Sequence, residues 1–224
     1  MKKLIFLTII TGVMFTSCSK KNTPTPQQAS NTVSINGSTY PTAVIGTQTW
    51  TTLNYNGAGG VNYDNVTGNL TGSGKLYTYA EATGVQLPSG WRLPTQADCS
   101  KLLLFIGGSV DNNGNGTASG SIAGKLVDPS WAYVYGDNST KFDAFPFGFY
   151  NSADATFEGS MNGNLDSKNG GGTTFWTSTP VPNNTMIYGF GISDYPEGST
   201  QVLTAYLDYY RPADRCSLRF VKDN

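Results

Sequence analysis

The chain reads as an α+β protein on three observations. Short runs rich in Val, Ile, Thr, Tyr and Phe recur along it, separated by Gly and Asn, as strands and turns do. One segment near the middle carries a helix start, an apolar stripe at helical spacing and a glycine stop. No internal repeat divides the 224 residues. Residues 32–224 are therefore expected to form a single domain, with mixed short strands, one clear helix at about 95–106 and long loops.

The opening, MKKLIFLTIITGVMFTSCSK, places Lys2 and Lys3 before an apolar stretch from Leu4 to Phe15. That stretch is too short to span a bilayer comfortably and suits a signal peptide, residues 1–17. Small residues followed by Cys18 resemble a bacterial lipobox with Cys18 as the lipidated residue; the alternative is an ordinary cleaved signal. Lipidation would anchor the chain to a membrane without a transmembrane helix. Residues 18–31, with two Thr-Pro steps and no apolar periodicity, read as an extended tether. Lys20 and Lys21 follow Cys18 where acidic residues can mark export to the outer face. The expected address is thus an outer-membrane lipoprotein on the cell surface or the periplasmic face.

From about residue 32 the pattern is strand-like. TVSINGSTYPTAVIG offers an Asn36-Gly37 turn between two β-branched runs, a hairpin signal. TQTWTTLNY continues as a strand around Trp50, and the Gly- and Asn-rich residues 56–74 read as a long loop. KLYTYAEATG follows as a strand or short helix. Thr95 and Asp98 have the spacing of a capping box, with Pro94 just outside. Cys99, Leu102, Leu103 and Ile106 then form one buried stripe, and Gly107-Gly108 ends the helix. The polar run DNNGNGTASGS reads as an insertion. Beyond it FDAFPFGFYN, TTFWTSTP, TMIYGFGI, QVLTAYLDYY and RCSLRFVKD are short strands.

Composition excludes several function classes. There is no histidine, which removes His general bases, Ser-His and Cys-His pairs and His-ligated metals. Net charge is −1 with no basic stripe, so nucleic acid is not an expected partner.

Seven segments, taken in order, carry a resemblance: VIGTQTWTTLNY, GKLYTYAEA, PSGWRLPTQAD, IAGKL, FDAFPFGFYN, FWTSTP and SLRFVKD. Together they resemble the Fibrobacter succinogenes major paralogous domain, a family of secreted bacterial modules, over roughly residues 40–223. The resemblance implies a C-type-lectin-like fold, with N- and C-terminal strands paired and loops presented at one end, and a role in binding or adhesion at the cell surface. PSGWRLPT resembles the family's turn into its helix. Trp91 is then expected to pack under that turn, and Arg92 to satisfy backbone carbonyls or a scaffold carboxylate. Trp50, Trp131 and Trp176 are read as core. Where members of the family carry a cysteine before PSGW and another in the last strand, this chain has Leu87 and Phe220. It has Cys99 and Cys216 instead. A Cys99–Cys216 disulfide in an oxidising compartment would close a loop of more than about a hundred residues, worth ~4–5 kcal/mol in the chain-entropy model. The alternative is two buried free thiols.

Candidate sites follow. Asp111, Asn113 and Asn115 stand where the first half of an EF-hand-type loop has ligands, but Ile122 replaces the bidentate Glu, so this is at most a weak calcium candidate and otherwise a solvated loop. The Glu-Pro-Asn, Gln-Pro-Asp and Trp-Asn-Asp tripeptides of sugar-binding C-type lectins do not occur. Only three glutamates are present, Glu81, Glu158 and Glu197, with no spacing that argues a catalytic pair. The cysteine-based metal site of the related formylglycine-generating enzymes is not expected. No enzyme activity and no cofactor are expected. In YLDYYRPADR, Tyr206, Asp208 and Tyr210 alternate onto one strand face beside Arg211, a set suited to stacking on a sugar or a protein patch, or to an aromatic ladder within a sheet. The expected function is non-catalytic binding of a glycan or other surface polymer, with a structural or protein-interaction module of the envelope as the alternative.

Overall fold

The computed structural model describes residues 31–63, 74–131, 136–160, 171–197 and 200–224. The expected signal peptide, Cys18 and tether lie outside the described residues, apart from Asn31. Three strands come first: β1 (Thr32–Ile35), β2 (Ser38–Ile45) and β3 (Gln48–Thr51). The β1–β2 turn is Asn36-Gly37, with φ of 49° and 83°, as a two-residue hairpin turn requires. Two short helices, α1 (Tyr79–Thr83) and α2 (Gln96–Ile106), follow. Both begin with a complete capping box, Thr78 with Glu81 and Thr95 with Asp98. Gly107 closes α2 in the left-handed conformation, φ 100°.

The remaining elements are β4 (Ser109–Val110), β5 (Gly116–Ser119), α3 (Ser121–Gly124), β6 (Phe147–Asn151), β7 (Thr156–Ser160), β8 (Gly172–Pro180), β9 (Ile187–Glu197), β10 (Thr200–Tyr210) and β11 (Val221–Asp223). A four-stranded sheet runs β1-β2-β3-β11, and a seven-stranded sheet runs β4-β5-β10-β9-β8-β6-β7. The last strand thus pairs with β3, and Arg92 covers its outer edge through a bridge to Val221.

This corrects the expected fold class. Among the described residues strands hold 43% and helices 13%, so the fold is mostly β, not α+β. The reason lies in strands that do not look like strands in isolation. DNNGNGTASGS is not an insertion; it supplies the β4–β5 turn and all of β5, which pairs with β10. In β8, six successive residues from Gly172 to Thr177 are buried, because alternate side chains enter two different cores. Phe175 joins a cluster with Trp50, Cys99, Leu102, Leu103, Trp131, Phe142 and Phe190. Trp176 joins another with Ile35, Tyr40, Tyr55, Tyr77, Tyr210, Cys216 and Phe220. Trp50, Trp131 and Trp176 are all core residues.

The expected Cys99–Cys216 disulfide is also corrected. Both cysteines are free and fully buried. Cys99 sits in the first cluster and Cys216 in the second, so the two thiols belong to different cores. Burial pushes both thiols well above the ordinary cysteine value. Phe220 is a member of the second cluster and Leu87 packs against it, so both positions where the resemblance implies cysteines serve the same apolar core.

The last segment carries a fully buried arginine. Arg219 donates from Nε to Asn54 Oδ1 at 2.6 Å, from one terminal nitrogen to Thr51 O and Phe142 O at 3.0 and 2.9 Å, and from the other to Asp143 O at 3.1 Å. The guanidinium lies 5.2 Å from the Phe142 ring centroid and 5.5 Å from that of Phe175. Burial lowers its pKa to about 9, so it stays charged at neutral pH. Through it the first sheet, the 142–143 loop and the chain end are tied together.

Candidate functional site

The PSGWRLPT corner belongs to the scaffold. Arg92 pairs with Asp98 through both terminal nitrogens and with Asp223 at 2.8 Å. Asp98 is buried and also accepts from Gln48 Nε2 at 2.6 Å and from the Thr95 backbone and hydroxyl at 2.7 Å each. Burial works to raise the Asp98 carboxyl, but these hydrogen bonds outweigh it and hold the pKa below the usual carboxylate range. Trp91 is half-buried against the second core, with Lys222 Nζ 5.7 Å from its ring centroid.

The weak calcium candidate is a self-closed turn. Asp111 Oδ1 accepts from the backbones of Asn113 and Asn115 at 2.8 Å each, and Oδ2 accepts from Asn115 Nδ2 at 3.3 Å. Asn115 Oδ1 in turn accepts from Gln96 Nε2 at 3.2 Å. These oxygens therefore serve the β4–β5 turn, and among the described residues no group of three or more acidic or thiol ligands gathers anywhere.

The tyrosine face of β10 needs a correction. Tyr206, Asp208 and Tyr210 do share one face, but that face packs on glycines of β9. A Cβ on Gly191 would meet the Tyr206 ring at 2.7 Å, and one on Gly189 would meet the Tyr210 ring at 2.6 Å. Tyr210 is buried against Trp176 and Phe149, so it is core and not a ligand contact. Asp208 is exposed and accepts from the Tyr209 backbone at 2.8 Å. Arg211 is exposed, and its backbone N–H donates to Asp214 at 2.7 Å.

The aromatic and charged groups that do meet at the surface lie four residues further on. Arg215 forms a two-hydrogen-bond bridge with Tyr150 of β6, at 2.9 and 3.0 Å. Paired residues share a sheet face, and Tyr150 is itself paired with Phe157 of β7. The Tyr150 and Phe157 ring centroids are 5.0 Å apart, and those of Tyr63 and Phe157 are 5.1 Å apart. Arg215 then pairs with Glu81 Oε2 at 2.9 Å, and Glu81 Oε1 accepts from the Gly60 backbone at 3.1 Å, three residues before Tyr63. Side-chain contacts, the Tyr150–Arg215 backbone bridge and the short 60–63 stretch of chain thus link Tyr63, Phe157, Tyr150, Arg215, Glu81 and Gly60 in a ring. All three aromatic side chains are half-buried.

Local structure fixes this ring firmly. Lys75 Nζ donates to the carbonyls of Gly57 and Gly59 at 3.1 Å each, and Tyr77 OH donates to Gly57 O at 3.1 Å. Gly60 has φ 64°, and a Cβ there would lie 2.7 Å from the Tyr77 ring and 2.9 Å from Leu76 O, so only glycine lets the loop come this close. On the far side Asp214 accepts from the Ser152 backbone and hydroxyl at 2.8 and 2.6 Å, locking the β6–β7 turn to the 211–214 turn. Sequence reasoning missed the ring. Glu81 in TYAE had the capping-box spacing, but nothing local joined it to Arg215, 134 positions away.

A second surface feature is apolar. Ile45, Gly46, Thr47, Gln48, Lys101, Leu104 and Phe105 line a groove of about 370 Å³. Val44, Leu104 and Phe105 beside it are 68%, 55% and 59% exposed, which is high for such side chains.

Compared with known proteins, the chain matches the family described as the Fibrobacter succinogenes major domain over residues 31–222. No curated protein and no solved structure matches it.

Proposed function

The chain belongs to the Fibrobacter succinogenes major domain family, and from that premise we propose that it is a non-catalytic cell-envelope lipoprotein that binds a glycan or other surface polymer. The observation that supports this reading is the ring in which three half-buried aromatic side chains are joined, through the Tyr150–Arg215 backbone bridge, to the Arg215–Glu81 pair. Aromatic faces bind the C–H face of a sugar or the flat side of a polymer, while a fork of N–H donors and a carboxylate fix orientation. The ring stands on a loop held in place by Lys75 and Glu81, so little ordering entropy opposes binding. Lipidation at Cys18 would place it on an outer-membrane surface. Glu81 works here as an acceptor held by its neighbours, not as an acid or base. Retention of the whole chain, in a polyoxyethylene detergent, on purified envelope and extracellular polysaccharide tests the reading. Wild type should be retained and Phe157→Ala released; equal retention of the two would remove the ring from the account.

The apolar groove beside α2 supports the second reading, a protein-interaction module. Leu104 and Phe105 would then insert into an apolar surface of an envelope protein. Phe105→Ser would abolish cross-linking to that protein without changing polymer retention.

A further inference from the structure

Resting on the polymer-binding reading above, we infer that the Tyr63–Phe157–Tyr150–Arg215–Glu81 ring takes a neutral glycan, not an acidic one. The argument starts from which polar atoms still have capacity. Glu81 Oε2 already accepts three hydrogen bonds, from the Thr78 backbone at 2.8 Å, the Thr78 hydroxyl at 2.9 Å and Arg215 at 2.9 Å. Oε1 accepts one, from Gly60. Oε2 is therefore fully engaged, and Oε1, with only Gly60 on it, is the carboxylate oxygen left with an acceptor position. The Arg215 guanidinium has five N–H donors, of which one is engaged with Glu81. The site therefore presents donors and one acceptor side by side.

A hydroxyl is both donor and acceptor, and two neighbouring hydroxyls on a sugar ring match this pair: one accepts from Arg215 and the other donates to Glu81 Oε1. The ring rows then place an apolar sugar face against Phe157 and its two tyrosine neighbours. A uronate or sulfate fits worse. The oxygens of its anionic group only accept, and at the Arg215 donors they would approach Glu81, a like charge in contact with the arginine that must receive them. Glu81 stays ionised through mildly acid pH. Burial works to raise its carboxyl, but the hydrogen bonds from Thr78 and Gly60 and the Arg215 charge bring it below the usual value. The pair thus contributes no net charge, and nothing at the ring favours a polyanion by counterion release or long-range attraction.

The test is affinity electrophoresis of the whole chain through gels containing galactomannan or soluble β-glucan as neutral probes and polygalacturonate as the acidic probe, at about 20 mM and about 500 mM salt. Wild type should be slowed by a neutral polymer, with less than about a twofold change in apparent affinity between the two salt concentrations. Phe157→Ala and Arg215→Met should each lose at least about tenfold. Arg215→Lys, which keeps the charge but not the fork, should fall between them and wild type. Circular dichroism of each variant separates loss of binding from loss of fold. Salt-sensitive retardation by polygalacturonate alone would overturn the neutral-glycan inference and leave polymer binding standing. Neutral-polymer retardation unchanged by Arg215→Met would overturn the role given to the pair. No retardation of folded wild type by any of the three would overturn both readings together.

Discussion

Arg215 and Arg219 stand four residues apart on the same closing segment, and the fold uses them in opposite ways. Arg219 is fully buried, engages four hydrogen bonds to uncharged oxygens and lies between Phe142 and Phe175. Arg215 is partly exposed, engages one side-chain hydrogen bond and is bridged through its backbone to Tyr150, whose ring is half-exposed. Donor saturation separates them. A charged group whose partners are all supplied by the chain serves the scaffold, and one with donors left over can serve a ligand.

The largest effect should come from Arg219→Met. Methionine fills much of the space but leaves the oxygens of Asn54, Thr51, Phe142 and Asp143 without their donor. Buried acceptors left in that state cost at least about 3 kcal/mol together. For a domain of this size that is a fall in Tm of roughly 6–12 °C, read by calorimetry. A fall under about 2 °C would mean the centre is not a clamp, and the comparison would fail at its stronger end.

The same rule extends to the acids. Asp98 is saturated, with donors from Arg92, Thr95 and Gln48. Its folded pKa lies below the unfolded value, so the stability it contributes is present above the unfolded carboxylate pKa and is lost as pH falls through the folded one. Asp98→Asn should therefore cost roughly 2–3 kcal/mol at neutral pH, and less near pH ~3. Urea melts at the two pH values would show it, and an equal loss at both would point to packing in place of charge.

Asp194 is the unsaturated counterpart. It is fully buried, accepts from the Gly171 backbone through Oδ1, and has no partner for Oδ2. Burial pushes its carboxyl up, although the Gly171 N–H and the nearby Trp131 indole, whose N–H stays short of a hydrogen bond, work the other way. With the folded pKa above the unfolded one, the protonated form is favoured in the fold. Stability is then highest below the unfolded pKa and falls as pH rises towards the folded value. Asp194→Asn keeps an acceptor for Gly171 and removes the charge. It should raise stability by about 1 kcal/mol at neutral pH and change it little near pH ~3. A loss at neutral pH would show that the carboxylate is needed there.

The sequence carried the parts of this contrast that are local. Thr95 and Asp98 are three residues apart, so their capping box could be read, as could the Asn36-Gly37 hairpin. Alternation also put Tyr206, Asp208 and Tyr210 on one face correctly. Whether that face is open depends on Gly189 and Gly191 across the ladder, which β10 alone does not contain. The β content was underestimated for a related reason: β5 is built from GTAS, whose small residues suit a strand only because β10 covers it. Arg219 and Arg215 looked alike in RCSLRF because saturation is a property of partners, and those lie 76 to 168 positions away.

The smallest effect on stability, and the sharpest test of the contrast, belongs to Arg215→Met. Its pair with Glu81 is partly open to water, with side-chain exposures of 25% and 32%. Such pairs contribute between about 0 and 1 kcal/mol. Glu81 keeps its hydrogen bonds from Thr78 and Gly60 when the arginine is gone, so α1 and the loop before Tyr63 should stay in place. Tm should fall by less than about 3 °C, against the much larger fall for the same substitution four residues later. Because the two changes are chemically identical, their difference measures environment alone. If Arg215→Met unfolds the chain as readily as Arg219→Met, then Arg215 is a second clamp, its spare donors have no bearing on ligands, and the surface ring is architecture.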